Sequence, residues 1–412
     1  MAEKLVITPN RLGPVKGSFE IRPFTLFIGK QGTGKSLVSQ LLYFFRNLPY
    51  LVRYYETRPG MSNEKIVRDA LEHLRSDKRP LFNVFKSSHT GTSINYYPSE
   101  PFEGKKWQIR VQFSEEKQFE EGELAAYVNQ IRGGHIPVQP RGQALFIPTE
   151  RVIYSHARGP STWQLLSLPS TLIFFADALE EAARVFDPLE KREADTPEGR
   201  WIRLMGKEAL AGEAVRQSEV WKWKVDEKTI LDIDMASSGQ KANWPIILLA
   251  QTLFAWRNEG LISEPFYIHV EEPEIHLHPA AQVAIVNILA YLVNHGFKVV
   301  VTTHSLTVLY ALNNLVTASQ MLPSDLRDER VPEPEVRLKP EQVNAYLFTE
   351  DGNVESIVTP AELSIEENGH ERSVQWLNED KLREVDQHLE QELNHIRTYG
   401  LLWGQETQHV VG

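Results

Sequence analysis

The 412-residue sequence predicts an α/β fold, and three observations carry that expectation. Short apolar runs alternate with helical patterns toward both ends of the chain, as expected when strands and helices form separate layers. A glycine-rich loop, Gly29 to Gly34, joins one such strand to one such helix. The middle of the chain holds an alternating segment, Trp107-Gln108-Ile109-Arg110-Val111-Gln112-Phe113. Its period of two indicates one buried and one wet face, so antiparallel material is expected to be inserted into the α/β core.

The elements follow in order. Leu5 to Thr8 and Phe24 to Ile28 read as buried strands, with a turn over Arg11 to Ser18. Lys35 to Leu48 reads as a helix, with Leu37, Leu41, Leu42, Phe44 and Phe45 apolar and Pro49 as its stop. An amphipathic helix is expected near Glu64 to Leu74, and loops over Lys78 to Pro101 and Glu115 to Glu121. Ala144 to Ile147 is a short buried strand. Leu172 to Phe186 and Leu204 to Gln217 read as helices, and Thr229 to Ile233 as a strand. Ser237 to Gln240 then form a turn before a long apolar helix to about Trp256. Phe266 to Val270 is a strand, and Pro279 to His295 a helix with proline at its start and Gly296 just past its end. Lys298 to Thr303 is a strand, followed by a helix from Leu306. Pro323 to Pro340 is polar and proline-rich. Ala345 to Phe348 and Val354 to Val358 flank Asp351-Gly352 as a hairpin, and a charged helix closes the chain over Glu379 to Arg397.

Composition narrows the function classes. There is no cysteine, which excludes disulfides, a thiol nucleophile and thiolate metal sites. With 44 Lys+Arg against 55 Asp+Glu, the net charge of −11 disfavours a chain that coats nucleic acid all over. Apolar residues at 42% supply an ordinary core. The N-terminus lacks the apolar run of a signal peptide, and no apolar stretch reaches the roughly 18 residues of a membrane span. A soluble cytoplasmic protein without membrane contact is the expectation.

Gly29-Lys30-Gln31-Gly32-Thr33-Gly34-Lys35-Ser36 fits G-x-x-x-x-G-K-[ST]. Glycines let successive N–H groups curl around phosphate oxygens, and the helix that starts here points its positive end at the same anion. Lys35 is placed to reach the β- and γ-phosphates, and the Ser36 hydroxyl to ligate Mg²⁺. Such a pattern also arises by chance, but here the strand before it and the helix after it are both in place. Phe266 to Val270 runs into Glu271-Glu272-Pro273. At the rim of a parallel sheet, one carboxylate could support Mg²⁺ and the other polarise water; a solvated strand end would look the same. Ser237-Ser238-Gly239-Gln240 opens a second helix with hydroxyls and N–H groups, and Val299 to Thr303 ends in His304-Ser305.

Taken together, the phosphate loop, Ser-Ser-Gly-Gln, Glu-Glu-Pro-Glu-Ile-His-Leu-His-Pro and Val-Thr-Thr-His-Ser resemble an ATP-binding-cassette ATPase of the SMC and OLD kind. The resemblance covers about Lys4 to Leu48 and Thr229 to Leu315. It implies a P-loop core of the cassette type with an inserted mixed α/β and helical lid or arm, ATP and Mg²⁺ as ligands, and ATP hydrolysis, which this chain's departures from the family are expected to make slow. It gives Glu271 the role of the usual Mg²⁺-supporting Asp, Glu272 that of the catalytic base and His304 that of the switch histidine. Ser237, Ser238, Gly239 and Gln240 stand at the signature that completes a neighbouring subunit's ATP site. Gln143 and the turn Ile147-Pro148-Thr149-Glu150-Arg151 are candidates for the glutamine loop. Three positions depart from the family: Glu271 is one methylene longer than Asp, and Ala236 and Ser238 stand where Leu and Gly are commonest. His276 and His278 fall in the segment the resemblance places at the dimer seam, and by spacing alone they are a weak metal pair.

The implied organisation is a first core segment (1–48), an inserted region (49–228) with a core strand near 144–147, a second core segment (229–316) and a C-terminal extension (317–412). The long stretch between Ser36 and Ser237 argues against a transporter cassette, and the short remainder after His304 against an intact nuclease domain. The expectation is an ATPase that forms ATP-sandwiched homodimers and senses or regulates for a partner effector, such as a nuclease or toxin, in anti-phage defence. The alternative is a RecF-like repair ATPase on duplex DNA, for which Arg46, Arg53, Arg58, Lys105, Lys106 and Arg110 could form a basic stripe if they share a face; a solvated surface is the plainer reading of the same residues.

Overall fold

The computed structural model describes residues 2–8, 15–56, 93–99, 108–112, 122–136, 138–155, 170–186, 196–217, 220–321, 331–367 and 370–378, with single positions at 380, 382 and 391. In chain order the elements are β1 (Glu3–Thr8), β2 (Gly17–Ile21), β3 (Phe24–Gly29), α1 (Lys35–Glu56), β4 (Ser93–Tyr97), β5 (Ile109–Gln112), α2 (Gly122–Arg132) and β6 (Ala144–Ile147). A 3₁₀ turn over Thr149–Ser155 leads on to α3 (Ser170–Val185), α4 (Pro197–Leu210), β7 (Glu213–Gln217), β8 (Val220–Lys224), β9 (Ile230–Asp232) and α5 (Ser238–Asn258). Then come β10 (Tyr267–Glu271), α6 (Pro279–Asn294), β11 (Lys298–Thr303), α7 (Leu306–Ala318), β12 (Val343–Phe348), β13 (Val354–Ser356), β14 (Val358–Glu367) and β15 (His370–Leu377).

The core is a six-stranded sheet in the order β13-β12-β3-β11-β10-β6. All its pairings are parallel except β12 with β13. Strands β3, β6, β10 and β12 are buried along their whole length, as apolar runs must be when helices cover both faces. Alternate residues sort the two faces. Leu26, Val270, Val299, Val301 and Leu347 pack with α3 to α7, whereas Phe27, Val300, Tyr346 and Phe348 pack with α1 and the small antiparallel sheet β2-β1-β4-β5. No helix among the described residues is long and apolar enough to cross a membrane.

Four local expectations differ from the structure. Helix α1 runs through Pro49 to Glu56. The proline removes one backbone donor, but Leu48, Leu51 and Val52 are buried on both sides of it, and that packing carries the helix on. The second helix lies earlier than Leu204 to Gln217. Thr196 caps α4 by accepting from the Gly199 N–H at 2.9 Å, and Ala211 in the left-handed region ends it, leaving Glu213–Gln217 as a strand. Gly17–Ile21 and Ser93–Tyr97 are strands where a turn and a loop were expected; both are short, and both are held by pairing with β1, Ser93–Tyr97 across a long separation in sequence. Ser237 to Gln240 form the cap and first turn of α5. The expected helix near Glu64 to Leu74, the loop over Glu115 to Glu121 and most of the charged helix over Glu379 to Arg397 lie outside the described residues.

One pairing is non-local. β12, from the segment assigned to a C-terminal extension, pairs parallel with β3 from Val343 to Phe348. It therefore sits next to the strand that carries the phosphate loop.

Candidate functional site

The parallel strands β3, β10, β11 and β6 all end at one rim, and their following residues meet there. Gly29 ends β3 with φ of +149°, and a Cβ there would lie 2.3 Å from the Phe348 carbonyl oxygen. Only glycine accommodates both the dihedral and the close β12 backbone. Gly32 and Gly34 also take positive φ. Thr33 Oγ1 donates to the Lys30 carbonyl at 2.8 Å, and Lys30 forms an exposed ion pair with Glu350 in the β12–β13 turn. The Gln31 side chain is exposed. The Lys35 ammonium donates to the carbonyls of Gly29 and Lys30 at 2.7 and 2.6 Å. Burial lowers its pKa to about 8, against the pull of Glu272 and Glu274.

Glu271 ends β10, opposite Thr302 on β11, and faces α1. It is 4% exposed, and burial pushes its pKa up to about 7, moderated by a hydrogen bond with Ser36. Its Oε2 accepts from the Thr149 N–H at 3.4 Å; its Oε1, like the neighbouring Thr302 hydroxyl, has no hydrogen-bond partner among the described residues. A buried carboxylate oxygen without a partner is costly, and a Ser hydroxyl beside it completes a hard-oxygen set suited to a divalent cation. Ser36 and Glu271 thus fit Mg²⁺. Glu272 follows in the left-handed region at φ +44°. His304, just past β11, lies with Nε2 at 3.1 Å from Glu272 Oε1 and Nδ1 at 3.3 Å from Lys35 Nζ. Glu274 fixes the histidine from behind, accepting from Thr303 Oγ1 at 2.6 Å and from the His304 N–H at 2.9 Å. Lys35, Ser36, Glu271, Glu272 and His304 are therefore one cluster.

Ser237 to Gln240 stand apart from it. They form a capping box: Ser237 Oγ accepts from the Gln240 N–H, and Gln240 Oε1 from the Ser237 N–H. Ser237 and Ser238 are exposed, and no hydrogen bond among the described residues joins this segment to 29–36. Gly239 is buried, and a Cβ there would lie 2.5 Å from the His276 carbonyl oxygen, so only glycine fits.

Residues 174–309 match the family of AAA ATPase domains. The match spans the capping box of α5, the acidic end of β10 and His304; the phosphate loop lies outside it and is carried by its own motif and geometry. No curated protein matches the chain. Among solved structures, an SMC head bound to the winged-helix domain of ScpA is 12% identical at TM-score 0.46, covering 86% of this chain and 96% of that one. The SMC head from Thermotoga maritima is 9% identical at TM-score 0.41, with 87% and 99% covered. A dimeric ATP-binding cassette with ADP and Pi is 16% identical at TM-score 0.34, with 86% and 96% covered.

Two expectations about site residues need correction. Gln143 lies at the far end of β6, where its backbone N–H donates to Asn47, so it is remote from the rim. The turn after β6 does reach the rim, through Thr149 and Arg151. Arg46 leaves the proposed basic stripe: it is 2% exposed and makes a two-pronged ion pair with Glu3 at 2.8 and 2.9 Å. His278 caps α6, its Nδ1 accepting from the Ala280 N–H at 3.3 Å. Arg53 and Arg110 are exposed, while Arg58, Lys105 and Lys106 lie outside the described residues.

Sequence reasoning missed two groups. One is Arg151, within a turn singled out only for a glutamine-like role. The other is His269 on β10, held between Ser39 Oγ at 2.9 Å and Arg46 Nη1 at 2.7 Å, with its pKa driven well below the usual value by burial and Arg46. Nothing local marks a histidine inside an apolar strand as part of a buried polar network.

Proposed function

We propose that this ATPase hydrolyses ATP in a two-fold homodimer, each site pairing one chain's phosphate loop with the other's Ser237 to Gln240. The observation that carries the reading is the separation just described. The cluster around Lys35 holds an acid end, a base and a cation, while a second helix N-terminus with exposed Ser237 and Ser238 has no hydrogen bond to it among the described residues. Donors at a helix N-terminus suit a phosphate, and an exposed set apart from the cluster can meet one on another molecule.

In this reading the loop N–H groups and Lys35 bind the phosphates. Ser36 and Glu271 hold Mg²⁺, which shields phosphate charge when bound. Glu272 accepts the proton of the attacking water. His304 donates through Nε2 to the γ-phosphate side, its other nitrogen oriented by Lys35. The effect on the cell would come through a partner effector, the chain acting as sensor or regulatory scaffold, in the anti-phage setting that its motif set suggests. The burial of Arg46 removes one member of the basic stripe that duplex DNA binding would use.

Mixing two inactive variants tests the shared site. Lys35→Ala and Ser237→Arg each spoil one half. In mixed dimers one site collects both defects and the other is intact, so random pairing should restore about a quarter of wild-type turnover. No restoration, with ATP-bound protein still monomeric, would mean the site is completed within one chain.

A further inference from the structure

Arg151 is fully buried, yet all five of its N–H donors go to uncharged acceptors. Nε donates to the Ala242 carbonyl at 2.7 Å, Nη1 to the carbonyls of Pro148 at 3.0 Å and Glu271 at 2.6 Å, and Nη2 to the Glu272 carbonyl at 2.8 Å and Asn243 Oδ1 at 3.4 Å. A buried cation solvated by carbonyls is an expensive substitute for an apolar side chain, so its geometry has to be sought in what it holds. It holds three elements together: the turn after β6, the acidic end of β10 and the first turns of α5. Two neighbours strengthen the α5 side. Ser155 Oγ donates to the Lys241 carbonyl at 3.1 Å, and Asn243 Nδ2 donates to the carbonyls of Gly239 and Ile275 at 2.9 and 3.0 Å.

The carbonyl of Glu272 is the decisive contact. Its residue sits in the left-handed region, where a side chain bearing a Cβ is strained and persists only if its surroundings impose the conformation. Relaxing that backbone would swing the carboxylate away from His304.

We infer that Arg151 is a positioning residue for hydrolysis: it clamps the backbone of Glu271 and Glu272 to α5 and so sets where the Glu272 carboxylate stands. The inference rests on the reading of Glu272 as the base. It also makes the helix that carries Ser237 a rigid neighbour of that base, so a displacement at the α5 N-terminus is passed to Glu272 through one guanidinium. Lysine cannot replace it, because three donors on one nitrogen cannot span acceptors on both sides of a planar fork.

The test uses the full chain with Arg151→Met, Arg151→Lys and Asn243→Ala, and reads kcat, KM for ATP and the dissociation constant of a fluorescent ATP analogue. Arg151→Met should lose about a hundredfold in kcat, the scale of an ångström-sized misplacement. Arg151→Lys should fall between it and wild type, and Asn243→Ala should lose less than either. Nucleotide affinity should stay within about twofold in all three, since the phosphate loop is untouched. If Arg151→Met does not fold, the other two variants decide. A kcat equal to wild type in Arg151→Lys, or nucleotide affinity falling in step with kcat, overturns the clamp. Turnover that survives in Glu272→Gln would instead remove the reading of the site, and is measured alongside to keep the two failures apart.

Discussion

His304 Nε2 lies 3.1 Å from the carboxylate of Glu272, while its Nδ1 faces the Lys35 ammonium at 3.3 Å. An ammonium can only donate, so with Lys35 charged Nδ1 is the acceptor and Nε2 carries the hydrogen toward Glu272. Three residues from three different strand ends thus set one tautomer, and the histidine is ready to donate where the base stands.

Binding and chemistry should separate by mutation. Lys35→Ala removes the cation that holds the loop carbonyls and should weaken ATP binding by at least tenfold, as expected for a charge-assisted contact worth about 1.5–3 kcal/mol. Glu272→Gln keeps the loop intact and should bind ATP normally while kcat drops about 10²- to 10⁴-fold, because an amide cannot take the proton. Equilibrium binding and single-turnover hydrolysis on the two variants check this.

ATP affinity should depend on pH through Lys35. Burial puts its pKa at about 8 before phosphate arrives, and phosphate charge raises it again. Below that pH the side chain is already charged and affinity is flat. Above it a proton must be taken up, and affinity should fall by up to about tenfold per pH unit. Calorimetry at pH 9 in two buffers of different ionisation enthalpy should show net proton uptake, and at pH 7 none from this group.

Glu271→Gln should trade function for stability. The native carboxyl has its pKa raised to about 7 by burial, so the folded state holds a proton that the unfolded chain releases. Stability is therefore lost as pH rises from the ordinary carboxylate range through 7, by up to about 3 kcal/mol. An amide has no such term. Glu271→Gln should melt higher than wild type at pH 8 and equal it near pH 4, while Mg²⁺ no longer tightens nucleotide binding. Thermal melts at the two pH values and binding with and without EDTA are the measurements.

Gly239→Ala should disrupt the outward face. The new methyl would meet the His276 backbone oxygen at 2.5 Å, and backbone cannot give as a flexible side chain does. A loss of about 1–3 kcal/mol is expected. Its mark on activity should resemble Ser237→Arg, with nucleotide binding by the monomer retained. Chemical denaturation and nucleotide titration distinguish this from global unfolding.

The sequence by itself determined the elements whose evidence is contiguous: the strand–loop–helix around Lys35, the acidic end of β10, the polar end of β11 and the proline-started α6. In each, neighbouring residues both form the element and carry the chemistry, so period and end signals suffice. The tertiary structure alone decided which of them meet. Ser36 and Glu271 face each other because β10 and β11 pair in register and α1 covers that face. β12 lies beside β3 although more than three hundred positions separate them, and a local pattern contains no term for such a pairing. Arg46 and Arg151 look alike in sequence as polar residues in helical or turn context. One is buried against Glu3 and the other against five acceptors, because only the assembled layers supply those partners.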